Sequence, residues 1–276
     1  MGRGPQARRG TGKARPRGNR VHVLDVAART DPGLVREHNE DAYLADEEVG
    51  VFVVADGMGG HRAGELASRI AAETIVDDIR ERWHCGGLAD EILLEALATA
   101  HQKIIASAQA DPSRRGMGTT AVVAWIPLPA DTAWVAHVGD SRGYLLRDGH
   151  LEGLTEDHTL LNQIARAGRL SPDPAEWPSR HALSQSLGAA SMIAPEVRAV
   201  PLRDGDLVLL CSDGLTDGVE DTEIARVLGT GAQPELLAER LVEAARTLGG
   251  GRDNITVVVI AVDGLRRTLS QKGNLS

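Results

Sequence analysis

The chain has 276 residues, 42% hydrophobic and 25% charged, the composition of an ordinary globular protein of one large or two small domains. Its net charge of −9 is uneven: residues 1–20 carry seven basic side chains and no acid, leaving the rest at −16. So acidic a body argues against nucleic acid as the main ligand. No apolar run approaches the roughly 20 residues of a membrane helix, and no apolar leader opens the sequence. The two cysteines, Cys85 and Cys211, make no disulfide framework, and a cytoplasmic setting is expected.

Residues 1–20, rich in Gly, Arg and Pro, read as a disordered tail. It is either a tether for anionic surfaces or a solvated extension, and the second is the simpler reading. Order is expected from Val21, with a strand over 21–29 and a turn at Thr30-Asp31-Pro32-Gly33. Tyr43–Ala45 and Val49–Ala55 read as a hairpin pair. The apolar, β-branched run that starts at Val51 ends in a carboxylate, Asp56, and the glycines Gly57, Gly59 and Gly60 follow at once. Helical periodicity then covers 63–83, where Leu66, Ile70, Ile75, Ile79 and Trp83 share a face, and about 88–110, which Asp111-Pro112 ends.

Short strands are expected over Thr119–Ile126, Ala133–Val138, Gly143–Leu146 and His150–Leu154, with a short helix at 159–168. Residues 169–190, broken by Pro172, Pro174 and Pro178, read as a surface excursion. Val197–Val200 and Asp206–Cys211 are strands, and helices follow near 221–228 and 235–248. In the second of these, Leu237, Leu241, Ala244 and Leu248 make the apolar stripe. Ile255–Val262 is a continuous apolar run that must be buried on both faces. Strands in two groups, with helix pairs after the first group and before the last strand, predict stacked sheets covered by helices.

Four acids stand at ends of these strands: Asp56, Asp140, Asp213 and Asp253. Each alone has a bland reading as a turn or cap residue. Brought to one edge of stacked sheets, all four would repel strongly unless cations neutralised them. Carboxylate oxygens beside an exposed glycine carbonyl suit a hard ion such as Mg²⁺ or Mn²⁺. Two such ions suit in-line displacement at phosphorus. Other phosphorus chemistries fail on the residues. His84-Cys85 starts a cysteine-phosphatase pattern, but Glu91 stands where Arg is required. Gly57-Met58-Gly59 imitates a dinucleotide loop, but Arg62 takes the third glycine position.

The ordered motifs then resemble one family. They are Arg36-x-x-Asn39-Glu40-Asp41, Val54-Ala55-Asp56-Gly57-Met58-Gly59-Gly60-His61, Met117-Gly118-Thr119-Thr120 and Val138-Gly139-Asp140-Ser141-Arg142. Glu156-Asp157-His158, Cys211-Ser212-Asp213-Gly214-Leu215-x-Asp217 and Arg252-Asp253-Asn254-Ile255 complete the set. The chain is similar in these stretches to bacterial metal-dependent Ser/Thr protein phosphatases of the type 2C class. The resemblance implies a four-layer α/β/β/α sandwich, two antiparallel sheets flanked by helices. It implies a catalytic domain over 21–265, with tails at 1–20 and 266–276.

It further implies that Asp56 bridges two Mn²⁺ or Mg²⁺ ions, that Asp213 and Asp253 hold the first and that the Gly57 carbonyl holds the second. Glu40 and Asp41 would lie in an outer shell, and a third ion would use Asp140 with Asp213 and Asp217. Arg36 would grip the phosphate. The implied reaction is hydrolysis of phospho-Ser and phospho-Thr by direct attack of a metal-bridging hydroxide, with a Ser/Thr kinase and its phosphorylated substrates as partners. A non-catalytic phosphoprotein-binding module on the same fold is the alternative. Two departures stand out. Met58 occupies the position of the His proposed as general acid in eukaryotic relatives, which leaves His61 a nearby but structural-looking histidine. In the excursion, taken as the family's flap, His181 and Gln185 stand where relatives often have Asn and Arg.

Overall fold

A computed structural model describes residues 23–59, 62–128, 131–168, 182–189 and 191–263. Both tails, His61 and His181 lie outside the described residues. The strands are β1 (Val23–Asp31), β2 (Ala42–Asp46), β3 (Val51–Ala55), β4 (Gly57–Met58), β5 (Gly118–Thr119) and β6 (Ala121–Trp125). They continue as β7 (Thr132–Val138), β8 (Arg142–Arg147), β9 (His150–Gly153), β10 (Glu196–Pro201), β11 (Leu207–Cys211) and β12 (Ile255–Asp263). The helices are α1 (Arg62–Cys85), α2 (Ala89–Ala110), α3 (Leu160–Arg166), α4 (Asp213–Thr216), α5 (Asp221–Leu228) and α6 (Pro234–Thr247).

Two five-stranded sheets form, in the orders β1-β12-β11-β8-β9 and β10-β7-β6-β3-β2, and all their pairs are antiparallel. The expected double burial of the last strand is its central place between β1 and β11. Alternation along β12 divides its side chains between two cores. Val258, Ile260 and Val262 point into the space between the sheets, where they meet Phe52, Val54 and Val122 of the other sheet. Ile255, Val257 and Val259 face outward against Leu237 and Leu241 of α6. On the opposite outer face Val51, Val53 and Trp125 meet Ile75, Leu93 and Leu97 of α1 and α2. Helix, sheet, sheet and helix thus make the four expected layers.

Three local expectations change. The strand predicted over Thr119–Ile126 is broken at Thr120 into β5 and β6. The register runs on through Asp56 and Thr120, but the Asp56 N–H donates to Thr120 Oγ1 at 3.0 Å instead of to the Thr120 carbonyl, and the ladder is interrupted there. Leu248 is not on the buried stripe of α6 but caps its end, 65% exposed. Trp83 is partly exposed too, near the end of α1, and packs edge-on against Trp125 at 5.0 Å between ring centroids.

Candidate active site

The ends of β3, β7, β11 and the start of β12 converge at one edge of the sandwich. Around a cavity of about 570 Å³ stand Arg36, Glu40, Asp56, Gly57, Asp140, Asp213 and Asp253. All four strand-end acids therefore share one space, although 40 or more residues of sequence separate each from the next. Asp41 lies beneath, buried, and its Oδ2 accepts hydrogen bonds from Ser212 Oγ at 2.8 Å and Thr256 Oγ1 at 2.6 Å. Asp217 stands off the cavity, exposed at the end of α4, where its N–H donates to the Asp213 carbonyl at 2.8 Å.

The backbone around Asp56 is built for close approach. A Cβ added at Gly57 would fall 2.3 Å from the Gly64 carbonyl oxygen and 2.5 Å from that of Glu40, so no larger residue fits there. The resulting two-residue strand β4 pairs with β5. Asp56 itself is held by both backbone groups. Its N–H donates to Thr120 Oγ1 at 3.0 Å, and its carbonyl accepts from Thr120 N–H and from Thr119 Oγ1 at 2.7 Å.

The electrostatics are those of crowded anions. Burial, then the neighbouring charges of Asp41 and Asp213, pushes the Asp56 carboxyl well above its ordinary value. Burial first, then Asp213, raises Asp140 to about 7, and burial raises Asp41 to about 7. Asp213 rises to about 6, by burial and then by the charge of Asp217. Two buried oxygens, Asp41 Oδ1 and Asp213 Oδ1, have no hydrogen-bond partner. Such groups normally find one. Hard oxygens lacking donors, in a polar cavity, are a donor set for divalent cations. The only guanidinium or ammonium group among the described lining residues is Arg36, whose Nη2 lies 2.6 Å from Asp253 Oδ2. Its partner is thus an acid of the cluster, 217 residues away in sequence.

Sequence reasoning assigned no role to several residues that hold this site. Asn254 ties the Pro32–Glu40 segment to the start of β12. Its Oδ1 accepts from Glu40 N–H at 2.7 Å, and its Nδ2 donates to the carbonyls of His38 at 2.9 Å and Pro32 at 3.1 Å. Thr120, Ser212 and Thr256 likewise act through hydroxyls. A hydroxyl that interrupts an apolar strand next to an acid was the available signal. Met58 lines the cavity, so the described residues put no imidazole two residues after Asp56.

A second group of potential ligands, His137, His158 and Glu196, brings one ligand atom from each within 4.8 Å. It is structural. The two rings stack at 4.4 Å, so their in-plane lone pairs do not converge. His158 Nδ1 accepts from Gly139 N–H at 3.3 Å, which places the proton of the neutral ring on Nε2. Arg166 already occupies Glu196 Oε1 at 2.7 Å.

A sandwich of this layout with a carboxylate cluster at its edge is a metal-dependent phosphohydrolase scaffold. The family described as Protein phosphatase 2C matches residues 35–245, and the chain belongs to that family. It is 36% identical over 252 residues to the serine/threonine phosphatase stp of Listeria monocytogenes, covering 89% of this chain and 96% of that one. Its fold superposes on the serine/threonine phosphatase PstP/Ppp of Mycobacterium tuberculosis with a TM-score of 0.77 at 38% identity, covering 87% of this chain and 99% of the other. The PstP catalytic domain solved with two manganese ions gives 0.76 at 37% identity, covering 88% and 100%. The chain is accordingly a metal-dependent protein-serine/threonine phosphatase, and its catalytic reading prevails over the binding-module alternative.

Proposed function

We propose that the chain hydrolyses phospho-Ser and phospho-Thr in proteins by direct displacement at phosphorus, without a phosphoenzyme. The observation that carries this is the convergence of Asp56, Asp140, Asp213 and Asp253 on one cavity, with buried carboxylate oxygens left unpartnered. In this reading Asp56, with Asp213 and Asp253, would hold one ion, and Asp56 with the Gly57 carbonyl would hold the other. Asp140, with Asp213 and Asp217, would hold a third. Glu40 and Asp41 act from an outer shell, where Ser212 and Thr256 orient the Asp41 carboxylate. Bound Mn²⁺ or Mg²⁺ supplies an activated water as nucleophile and positive charge for the phosphoryl oxygens.

Arg36 forks onto the phosphate oxygens from the cavity wall. Residues 21–265 form the catalytic domain, and residues 1–20 and 266–276 are tails outside the chemistry. The physiological counterpart is a bacterial Ser/Thr kinase together with that kinase's substrates, in the cytoplasm. No described helix is long and apolar enough to cross a membrane, and the acidic body disfavours nucleic acid. The test is activity on a phosphothreonine peptide, which should vanish in EDTA and return with Mn²⁺. Full activity in chelator overturns the proposal.

A further inference from the structure

Thr120 touches Asp56 and both residues that flank Asp140. It clamps Asp56 from two sides, accepting that residue's N–H on Oγ1 at 3.0 Å and donating its own N–H to the Asp56 carbonyl at 2.9 Å. The same Oγ1 lies 2.6 Å from Ser141 Oγ, on the residue after Asp140. On the other side of Asp140, Thr120 presses against Gly139. A Cβ there would sit 2.6 Å from Thr120 Cγ2, and Gly139 has a φ of +107°. Thr120 and Ser141 are both almost wholly buried, at 2% and 1% exposure, so water does not compete for these bonds.

From this geometry we infer that Thr120, with Ser141, is the positioning residue that sets the separation between Asp56 and Asp140, and so couples the paired-ion site to the third-ion site. The inference rests on the metal reading above. The physical reason is rigidity. Asp140 sits in a turn that leaves β7, and Asp56 sits past the end of β3, which pairs with β6 and not with β7. Thr120 lies just before β6, the strand between them, at the point where β5 and β6 part. Its side chain therefore crosses the gap that the sheet ladder leaves unbridged. Groups of this kind, one bond removed from a ligand, change metal affinity by roughly 10- to 100-fold when removed.

Calorimetric titration of the full chain with Mn²⁺ tests this, alongside amide hydrogen exchange of the metal-free protein. The native chain should show a tight step and a weaker step, the latter absent in Asp140→Ala. Ser141→Ala should weaken the weaker step by roughly 10-fold while the tight step stays within about twofold. Thr120→Val should weaken both and speed exchange of the Asp56 amide, and Thr120→Ser should restore both. If Thr120→Val does not fold, Ser141→Ala and Thr120→Ser decide the matter. Native binding of Mn²⁺ with Ser141→Ala unchanged in both steps overturns the clamp alone. A native chain that takes up no Mn²⁺ overturns the metal reading, and a native chain without an Asp140-dependent step removes the third site and the inference with it.

Discussion

Arg36 and Asp253 form an ion pair at the cavity wall, Nη2 to Oδ2 at 2.6 Å, with the Arg36 side chain 57% exposed. At that exposure the pair adds little to stability, about 0–1 kcal/mol. In the proposed reading its place matters to function, because the guanidinium stands beside the carboxylates where a phosphate would arrive. Arg36→Ala should leave the fold intact and chiefly raise KM. Two charge-assisted bonds worth about 1.5–3 kcal/mol set the scale at roughly 10- to 100-fold. Asp253→Asn should do the reverse, with kcat collapsing and KM nearly constant. Steady-state kinetics of both variants in saturating Mn²⁺ checks the split. An unchanged KM for Arg36→Ala returns that residue to a surface charge.

Metal-free stability should depend on pH in a direction opposite to that of most acids. Burial and mutual repulsion raise Asp41 and Asp140 to about 7 and Asp213 to about 6. Between the unfolded carboxylate value and those values the folded state binds more protons than the unfolded state. The stability these groups contribute is therefore full below the unfolded carboxylate value, declines as pH rises above it and is lost once pH passes about 6 to 7. In EDTA, Tm should fall between pH 5 and pH 8. Saturating Mn²⁺, which binds the deprotonated carboxylates, should abolish or reverse that slope. A chelated protein more stable at pH 8 than at pH 5 contradicts the crowded-anion picture.

Asn254 makes three hydrogen bonds to the Pro32–Glu40 segment, which carries Arg36. Asn254→Ala strands one N–H and two carbonyls, each worth about 1–3 kcal/mol if left dry. Water recovers part of that, so urea denaturation should show a loss of about 2–4 kcal/mol. Loosening the segment also misplaces Arg36, and kcat/KM should drop roughly tenfold or more. A loss of stability without a loss of kcat/KM would limit Asn254 to scaffolding.

Because Met58 lines the cavity where relatives of the eukaryotic type carry a histidine, the leaving-group proton must come from elsewhere. His61→Ala should lower kcat by less than tenfold, even for a poor leaving group, which leaves a coordinated water as donor. A general acid would show a loss of roughly 10²-fold or more. A large loss confined to poor leaving groups would assign the role to His61.

The sequence by itself determined the layers, the order of strands and helices, and the acids at the strand ends. These are legible because apolar patterning is local, an unbroken run in β12 and a period near 3.6 in α1 and α6, and because an acid ending an apolar run stands out against it. What the linear order left undecided is which distant groups face those acids. Asp56 is held by Thr120, 64 residues on, and Asp41 by Thr256, 215 residues on. Neither spacing leaves a periodic trace, since a single hydroxyl fits a strand as well as a turn. Arg36 could be expected to face phosphate, but its pairing with Asp253 exists only because β1 and β12 run side by side and bring their connecting segments together. Tertiary structure alone also decided that Leu248 caps a helix and that Thr120 breaks a strand. In both cases partners remote in sequence, or the solvent they leave exposed, overrode the local pattern.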